Sequence, residues 1–424
     1  MSIALIFIVL LLAGVPVAFV LGLTSIFYLV LSGNFDFFLT VPQRMIAAPN
    51  NFSLLAIPLF VLAGEIMNSG GITKRLADFS RSLVAHLRGG LAYVNILVSA
   101  LLSAIVGSAN AVAAIQSTFM VPEMKKDKYD DDYSAAVTAG GSIMGPIIPP
   151  SLIFILYGVA ANASIGALFL AGIVPGILLM IGFFGLAFMY ARKKGFPVKK
   201  RASVGTVGKS FLHAFPALIV PVLIIGGIFS GQFTPTEAGA IGSVIAFIVG
   251  MYIYKDLKFI HIPNVLIRTG VISAAVLIIN STASVFSWTI TMESIPQMIA
   301  NALLTISESP WVILLIINIF LLIVGMFLEP LSAIIILVPI LLPVVDLLGI
   351  DPIHFGVVVS LNLTIGLITP PVGLVLFVVS GITKVSFVRL SKAIVPFAIV
   401  AIIVLFIITY IPSIVTFLPE LFLS

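Results

Sequence analysis

Apolar residues run along this chain in long unbroken blocks. They show neither the alternation of half-buried strands nor the one-sided stripe of a soluble helix. The runs Ile3–Ala13 and Ile394–Ile408 contain no charge. Read at about 20 residues per crossing, the blocks predict helical spans near 3–32, 51–68, 91–122, 134–165, 167–192, 211–230, 236–254, 268–290, 311–344, 354–383 and 393–418. Two of them, 91–122 and 311–344, are too long for one straight crossing, and each is interrupted in its middle. The first breaks at Gly107-Ser108-Ala109-Asn110, the second at Gly325 and Glu329-Pro330-Leu331-Ser332. A helix that enters, turns and leaves on one side fits this pattern. Such a hairpin is tolerated only where its turn is buried in protein or lines a cavity.

The same features occur twice. Gly145-Pro146-Ile147-Ile148-Pro149-Pro150-Ser151-Leu152 returns as Gly366-Leu367-Ile368-Thr369-Pro370-Pro371-Val372-Gly373. Ile105-Val106-Gly107 matches Ile323-Val324-Gly325, and Val121-Pro122 matches Val338-Pro339. Each half therefore carries a broken hairpin, a short loop and a broken helix, in that order. Two such units in one membrane chain are the plan of many secondary transporters, often with inverted topology. The expected fold class is an all-α polytopic membrane protein with two inverted structural repeats. Each repeat holds a re-entrant helical hairpin and a discontinuous helix.

Proline lacks an N–H, and its ring clashes with the carbonyl four residues back. Pro146, Pro149 and Pro150 should free the carbonyls of Ser142, Gly145 and Pro146; Pro370 and Pro371 should free those of Gly366 and Leu367. An unpaired carbonyl in hydrocarbon costs several kcal/mol, so water, a neighbouring helix or a cation must satisfy it. Hydroxyl and amide oxygens lie close in sequence: Ser103, Ser108 and Asn110 in the first half, Asn362, Thr364 and Thr369 in the second. Carbonyl ends of half-helices coordinate Na⁺ in transporters, while half-helix N-termini face anionic substrate groups. A plain proline kink satisfied by neighbouring side chains is the alternative. Ser108, Asn110 and Ser151 are candidate donors to a substrate carboxylate, although Ser108 also suits simple turn chemistry. Glu329 is an acid inside an apolar hairpin, which points to function; capping of the hairpin turn is the competing role.

Composition narrows the class. The chain has 424 residues, 61% hydrophobic and 9% charged, with a mean hydropathy of +1.27. Soluble domains are about 45–50% apolar and about 25% charged, so soluble enzymes, disordered chains and nucleic-acid binders are excluded. The formal charge is +5, from 21 Lys and Arg against 16 Asp and Glu. The most basic stretch, Arg192–Arg201, is assigned to the cytoplasmic side. There is no cysteine, so no disulfide, thiol nucleophile or thiolate metal site can form. Met1-Ser2-Ile3 lacks a basic signal-peptide n-region, and the apolar stretch to Leu31 is expected to stay as a first helix.

The remaining polar residues read structurally. Thr234-Pro235-Thr236-Glu237 is a capping box; Ser309-Pro310 and Asp351-Pro352 are helix starts. Glu65 and Asp346 are expected at the membrane interface. Asp130-Asp131-Asp132 and the four histidines, His86, His213, His261 and His354, fall near loops and helix ends. Neither HExxH nor GxxxxGK[ST] occurs, so no enzyme is expected and the energy source is an ion gradient or a partner. A membrane enzyme would need partners for the aspartate triplet, and a passive channel would need a ring of equivalent filter residues.

The chain resembles the large membrane subunit, the DctM-like subunit, of tripartite ATP-independent periplasmic (TRAP) transporters. The matching stretches are Phe60-Val61-Leu62-Ala63-Gly64 with Met67, Gly70, Gly71 and Ile72; Gly107–Ala111; Gly145–Ser151; Phe233–Gly239; Gly325–Glu329; and Gly366–Gly373. Glu329 stands where Asp is common in the family. The resemblance implies an elevator-type carrier of the ion transporter superfamily. Such a carrier imports an organic acid across the bacterial inner membrane with Na⁺, two or more ions per cycle, and needs no organic cofactor. It implies two protein partners: a small four-helix membrane subunit (DctQ-like) and a periplasmic solute-binding protein (DctP-like). It implies Na⁺ sites at Ser103, Ser108, Asn110, Gly141, Gly145 and Pro146, and at Gly325, Gly366, Thr369 and Pro370. Substrate would meet Ser108, Asn110, Ser151 and Glu329. The moving body would comprise 91–165 and 311–383. The scaffold would take 1–90, 166–310 and 384–424. The pattern of Ser108, Ser151 and Glu329 leans towards the sialic acid branch, since neutral donors and one acid suit a polyhydroxylated carboxylate. C4-dicarboxylates, other sugar or keto acids, and a stand-alone carrier without a binding protein are the alternatives.

Overall fold

The computed structural model describes residues 2–194, 196, 198 and 200–423. Among these, every regular element is a helix. Seven helices are long and apolar enough to cross a membrane, or eight counting the pair Phe387–Ala393 and Val395–Tyr410, which is bent by 46°. The chain is a polytopic membrane protein.

Both predicted hairpins form. In the first, Gly90–Val106 and Ala109–Lys126 pack against each other. Gly107 ends the first arm at φ +63°, a conformation open to glycine and costly to L side chains, and Ser108 opens the second arm in extended geometry. In the second hairpin, Pro310–Phe327 gives way to Pro330–Leu347 through extended Leu328 and Glu329. Both predicted broken helices also form. Asp131–Ser142 resumes as Leu152–Ala160, and Pro352–Gly366 resumes as Leu374–Thr383.

The two halves are interlocked. The second arm of hairpin one, Ala109–Lys126, packs on Leu374–Thr383; the second arm of hairpin two, Pro330–Leu347, packs on Leu152–Ala160. Each hairpin thus reaches across to the other half's resumed helix, the reciprocity expected of a two-fold-related repeat. Within each half a buried amide clamps hairpin to broken helix. Asn95 Nδ2 donates to Thr138 Oγ1 at 2.8 Å, and Asn362 Nδ2 donates to Asn318 Oδ1 at 2.8 Å. Helices Ile165–Lys194 and Val395–Tyr410 pack on the broken helices from outside.

The remaining long helices, Ala56–Ser69, Val204–Phe229, Pro235–Ile248 and Ile262–Met292, pack on one another. The capping box is present: Thr234 N–H donates to Glu237 Oε2 at 2.8 Å, and Glu237 N–H donates to Thr234 Oγ1 at 3.3 Å. Two amphipathic helices that hydropathy did not single out precede the hairpins, Ile72–Val84 and Ile295–Ile306. The first buries Ile72, Leu76, Ala77 and Ser80 on one face.

One expectation is corrected. The stretch 3–32 is not a single span. It forms Ser2–Leu12 and Val17–Leu31, which pack on each other around a turn with Gly14 at φ +77° and Pro16. A proline and a left-handed glycine outweigh continuous hydrophobicity, because neither continues a helix.

Sidedness follows from the ion pairs. Arg75–Asp256, Arg81–Glu123, Lys125–Asp131, Lys194–Asp130 and Arg389–Asp132 join helix ends and connectors at one end of the bundle. The aspartate triplet is therefore a connector paired to three separate elements. Following the helices from that end, every described Lys and Arg except Arg44 lies at the same face or within two turns of it. By the positive-inside rule this face is cytoplasmic. Gly195, Pro197 and Lys199 of the basic stretch lie outside the described residues.

Candidate functional site

A cavity of about 210 Å³ lies where the two hairpin tips approach each other. The first tip contributes Gly107, Ser108, Asn110 and Ala111; the second contributes Glu329, Pro330 and Leu331. Pro146, Leu152 and Ile153 come from the first broken helix and Leu367 from the second. The opposite wall belongs to the other helix group: Val61, Gly64, Glu65 and Asn68 of Ala56–Ser69, with Ile272 of Ile262–Met292.

The hairpin tips have polar groups to spare. Asn110 Oδ1 is buried without a hydrogen-bond partner. A buried amide oxygen left unpaired costs about 1–3 kcal/mol, so a ligand that supplies a cation or donor is favoured there. Ser108 occupies the N-cap of Ala109–Lys126, yet its side chain makes no capping bond. Its hydroxyl stays available to the cavity. Glu329 does cap its helix. Its Oε2 accepts from Leu331 N–H at 3.0 Å and Ser332 N–H at 3.3 Å, which leaves Oε1 as the oxygen free for the cavity. Capping and cavity lining, set as alternatives from sequence, coexist in one carboxylate.

The broken helices resolve the freed carbonyls differently from expectation. Gly145 N–H reaches Ser142 O at 2.9 Å, Thr369 N–H reaches Gly366 O at 3.1 Å, and Val375 N–H reaches Leu367 O at 3.1 Å. Ser151 Oγ donates to Pro146 O. Four of the five carbonyls are thus satisfied within the protein, two by tight turns, one by a backbone bond across the second break and one by a side chain. Pro146 and Leu367 occupy matching places in the two motifs, and each carbonyl is bonded across its own break. A carbonyl has two lone pairs, so these groups keep a second acceptor site.

The expected residues sort into three groups. Ser108, Asn110, Pro146 and Glu329 line the cavity. A second group sits behind it in the helix packing. Ser103 Oγ donates to Ser99 O at 2.6 Å, and a Cβ at Gly141 would lie 2.6 Å from Ser99 Oγ. A Cβ at Gly145 would lie 3.0 Å from the Ser108 carbonyl carbon. Gly325 and Gly366 face each other so closely that a Cβ at Gly366 would overlap the Gly325 backbone. The third group lies off the cavity with its hydroxyls engaged locally or its ring partly exposed. Ser151 is fully buried; besides the bond to Pro146 O it accepts from Phe154 N–H at 3.3 Å. Thr369 Oγ1 donates to Ile365 O at 2.7 Å, and Pro370 is half-buried beside it. Of the other oxygens, Thr364 Oγ1 donates to Ser360 O at 2.6 Å, and Asn362 Oδ1 is buried and unpaired.

Sequence reasoning missed the wall opposite the hairpin tips. Glu65, expected at the interface, lines the cavity with only 19% of its side chain exposed. The signal was present. Val61, Gly64, Glu65 and Asn68 follow the i, i+3, i+4, i+7 spacing of one helix face, and an acid in an apolar run points to function as much at Glu65 as at Glu329.

Comparison with known proteins agrees with this architecture. The family model of the tripartite ATP-independent periplasmic transporter, DctM component, matches residues 4–414. The chain is 42% identical to the sialic acid TRAP transporter large permease protein SiaM of Vibrio cholerae, over 98% of this chain and 97% of that one. It is 38% identical to the C4-dicarboxylate TRAP transporter large permease protein DctM of Pseudomonas aeruginosa, over 89% and 88%. Among solved structures, the YdaH transporter of Alcanivorax borkumensis superposes with a TM-score of 0.67 at 14% identity, covering 89% of this chain and 88% of that one, which shows a shared fold. With hairpins, broken helices and a whole-length family match in agreement, the chain belongs to the DctM component family of TRAP transporters and is a large permease subunit of the bacterial inner membrane.

Proposed function

We propose that this permease couples inward movement of Na⁺ to import of an organic acid, with sialic acid as the preferred substrate. The observation that carries the reading is the unpartnered, buried Asn110 Oδ1 in the same cavity as Ser108 and Glu329, between two hairpin tips. Na⁺ at Asn110, Ser108 and the Pro146 carbonyl would satisfy these oxygens and offset the substrate's negative charge. A second ion would sit among the Gly325, Gly366, Thr369 and Pro370 backbone. Glu329 Oε1 would accept from substrate hydroxyls, while Ser108 and Asn110 Nδ2 would donate to its carboxylate. Among the described residues neither Lys nor Arg lines the cavity, which suits a single carboxylate with many hydroxyls better than a dicarboxylate. The likeness to a sialic acid permease points the same way.

Transport would proceed as an elevator. The moving body would comprise the hairpins and broken helices of 91–165 and 311–383; Ile165–Lys194 and Val395–Tyr410, assigned to the scaffold from sequence, pack on the broken helices and are reassigned here to the moving body. The scaffold is the group around Ala56–Ser69 and Ile262–Met292, completed by a small four-helix DctQ-like subunit. A DctP-like periplasmic binding protein would deliver the substrate. Uptake into proteoliposomes holding both membrane subunits tests this, comparing labelled N-acetylneuraminate with succinate. Accumulation of N-acetylneuraminate only with both Na⁺ and the binding protein is expected. Succinate uptake would replace the substrate, and uptake without the binding protein would indicate a stand-alone carrier.

A further inference from the structure

Glu65 is a wall between two spaces. On one side is the central cavity. On the other is a second cavity of about 230 Å³, lined by Glu65, Ser69, His261, Asn264, Val265 and Arg268. This second space lies at the cytoplasmic end of the scaffold, where Ala56–Ser69 ends and Ile262–Met292 begins. The two spaces differ in charge. Among the described residues the central cavity is lined by two acids and by no Lys or Arg. The outer one contains a guanidinium on its wall.

Arg268 is only loosely committed. Its Nη1 stands 3.8 Å from Glu65 Oε2, and its side chain is 67% exposed. Glu65 Oε2 is buried and accepts no hydrogen bond. A contact of that length at that exposure holds far less tightly than a bidentate pair with a carboxylate. The arginine can therefore turn to an incoming anion without loss of a structural bond. We infer that Arg268, with Asn264, His261 and Ser69 around it, is a cytoplasmic exit station that receives the carboxylate of the departing substrate from the central cavity. Glu65 lines both cavities, and Arg268 is the guanidinium on the wall of the second. The acidic wall repels an anion that lingers, and the arginine draws it outward. The station takes carboxylates as a class, so it sets release rate and not the choice between acids. This rests on the transport reading above.

The test uses the complete membrane complex in proteoliposomes. Arg268→Gln is expected to lower turnover about tenfold with KM nearly unchanged, because release and not capture is impaired; Arg268→Lys keeps most of the rate. The double variant Glu65→Gln with Arg268→Gln separates the roles. If Arg268 only neutralises Glu65, the double variant recovers the wild-type rate, and the station is overturned; continued slow turnover supports it. A binding readout is independent of transport. The chain has no cysteine, so Asn264→Cys gives it a single thiol. N-acetylneuraminate or succinate on the cytoplasmic side is expected to slow its alkylation, an effect lost in the Arg268→Gln background. Equal alkylation with and without either acid overturns the station. Wild-type uptake in the same vesicles checks the transport reading separately, since its failure leaves the alkylation result readable.

Discussion

Gly325 and Gly366 meet backbone against backbone: hairpin two presses on its broken helix with no side chain between them. A Cβ at Gly366 would overlap the Gly325 carbonyl group, and a Cβ at Gly325 would lie 2.9 Å from the Leu363 carbonyl oxygen. Neither neighbour is a flexible side-chain tip, so neither yields easily. Gly366→Ala should cost about 1–3 kcal/mol through overpacking and abolish most uptake. Gly145→Ala, facing the Ser108 carbonyl carbon at 3.0 Å, should be milder. Thermal unfolding in detergent and uptake by the same variants check both. A silent Gly366→Ala would mean the two segments separate without consequence.

Glu329 joins two jobs that substitution can divide. Glutamine keeps an oxygen able to accept from Leu331 and Ser332; alanine keeps none. Glu329→Ala should lose about 0.5–2 kcal/mol of stability, the range for a lost N-cap, and most transport. Glu329→Gln should melt like the parent while uptake falls. Full activity in Glu329→Gln would show that the cap, and not the charge, is what transport requires.

Asn110 offers an unpaired buried oxygen to the cavity. Asn110→Ala removes it and relieves the desolvation cost, so the apo protein should be as stable as wild type or slightly more so. The Na⁺ concentration for half-maximal uptake should rise about tenfold, the effect of losing about 1.4 kcal/mol of ion binding. An unaltered Na⁺ dependence would take Asn110 out of the ion site.

Ser151 should behave as a structural residue. Its hydroxyl bridges the first break, from the Pro146 carbonyl to the Phe154 N–H. Ser151→Ala should destabilise by about 1 kcal/mol or more and lower the amount of folded protein. The KM of what remains should stay close to wild type. A large KM change with normal stability would restore Ser151 to the substrate site.

Much of this protein is legible in one dimension. The lipid core imposes long apolar runs, and interruptions inside those runs are costly enough to carry meaning, so both hairpins and both broken helices are marked by their Gly, Pro and Ser. The paired motifs around Pro146 and Pro370 establish the repeat because their order is preserved. The opening run is the exception. Hydropathy treats 3–32 as continuous, while Gly14 and Pro16 fold it into two helices. Similarly, Ile72–Val84 and Ile295–Ile306 escape a hydropathy reading because an amphipathic helix is only half apolar.

What the tertiary structure decided is which residues share a cavity. Ser108 and Ser151 look alike from sequence, each a serine beside a break, yet one hydroxyl is free and the other is bonded on both sides. The difference lies in the path of the backbone across the proline break, which brings the Pro146 carbonyl to Ser151. The wall opposite the hairpin tips is likewise a product of packing. Glu65 and Asn68 share a cavity with Glu329, far away along the chain, only because Ala56–Ser69 packs against the first hairpin. Sequence alone determined the membrane class and the two-fold plan, because these follow from local patterns of hydrophobicity and helix breaking, and it pointed to the family through the resemblance of whole motifs. The partners of each polar group were decided in three dimensions, since a buried oxygen is satisfied by whatever donor the fold brings within about 3 Å.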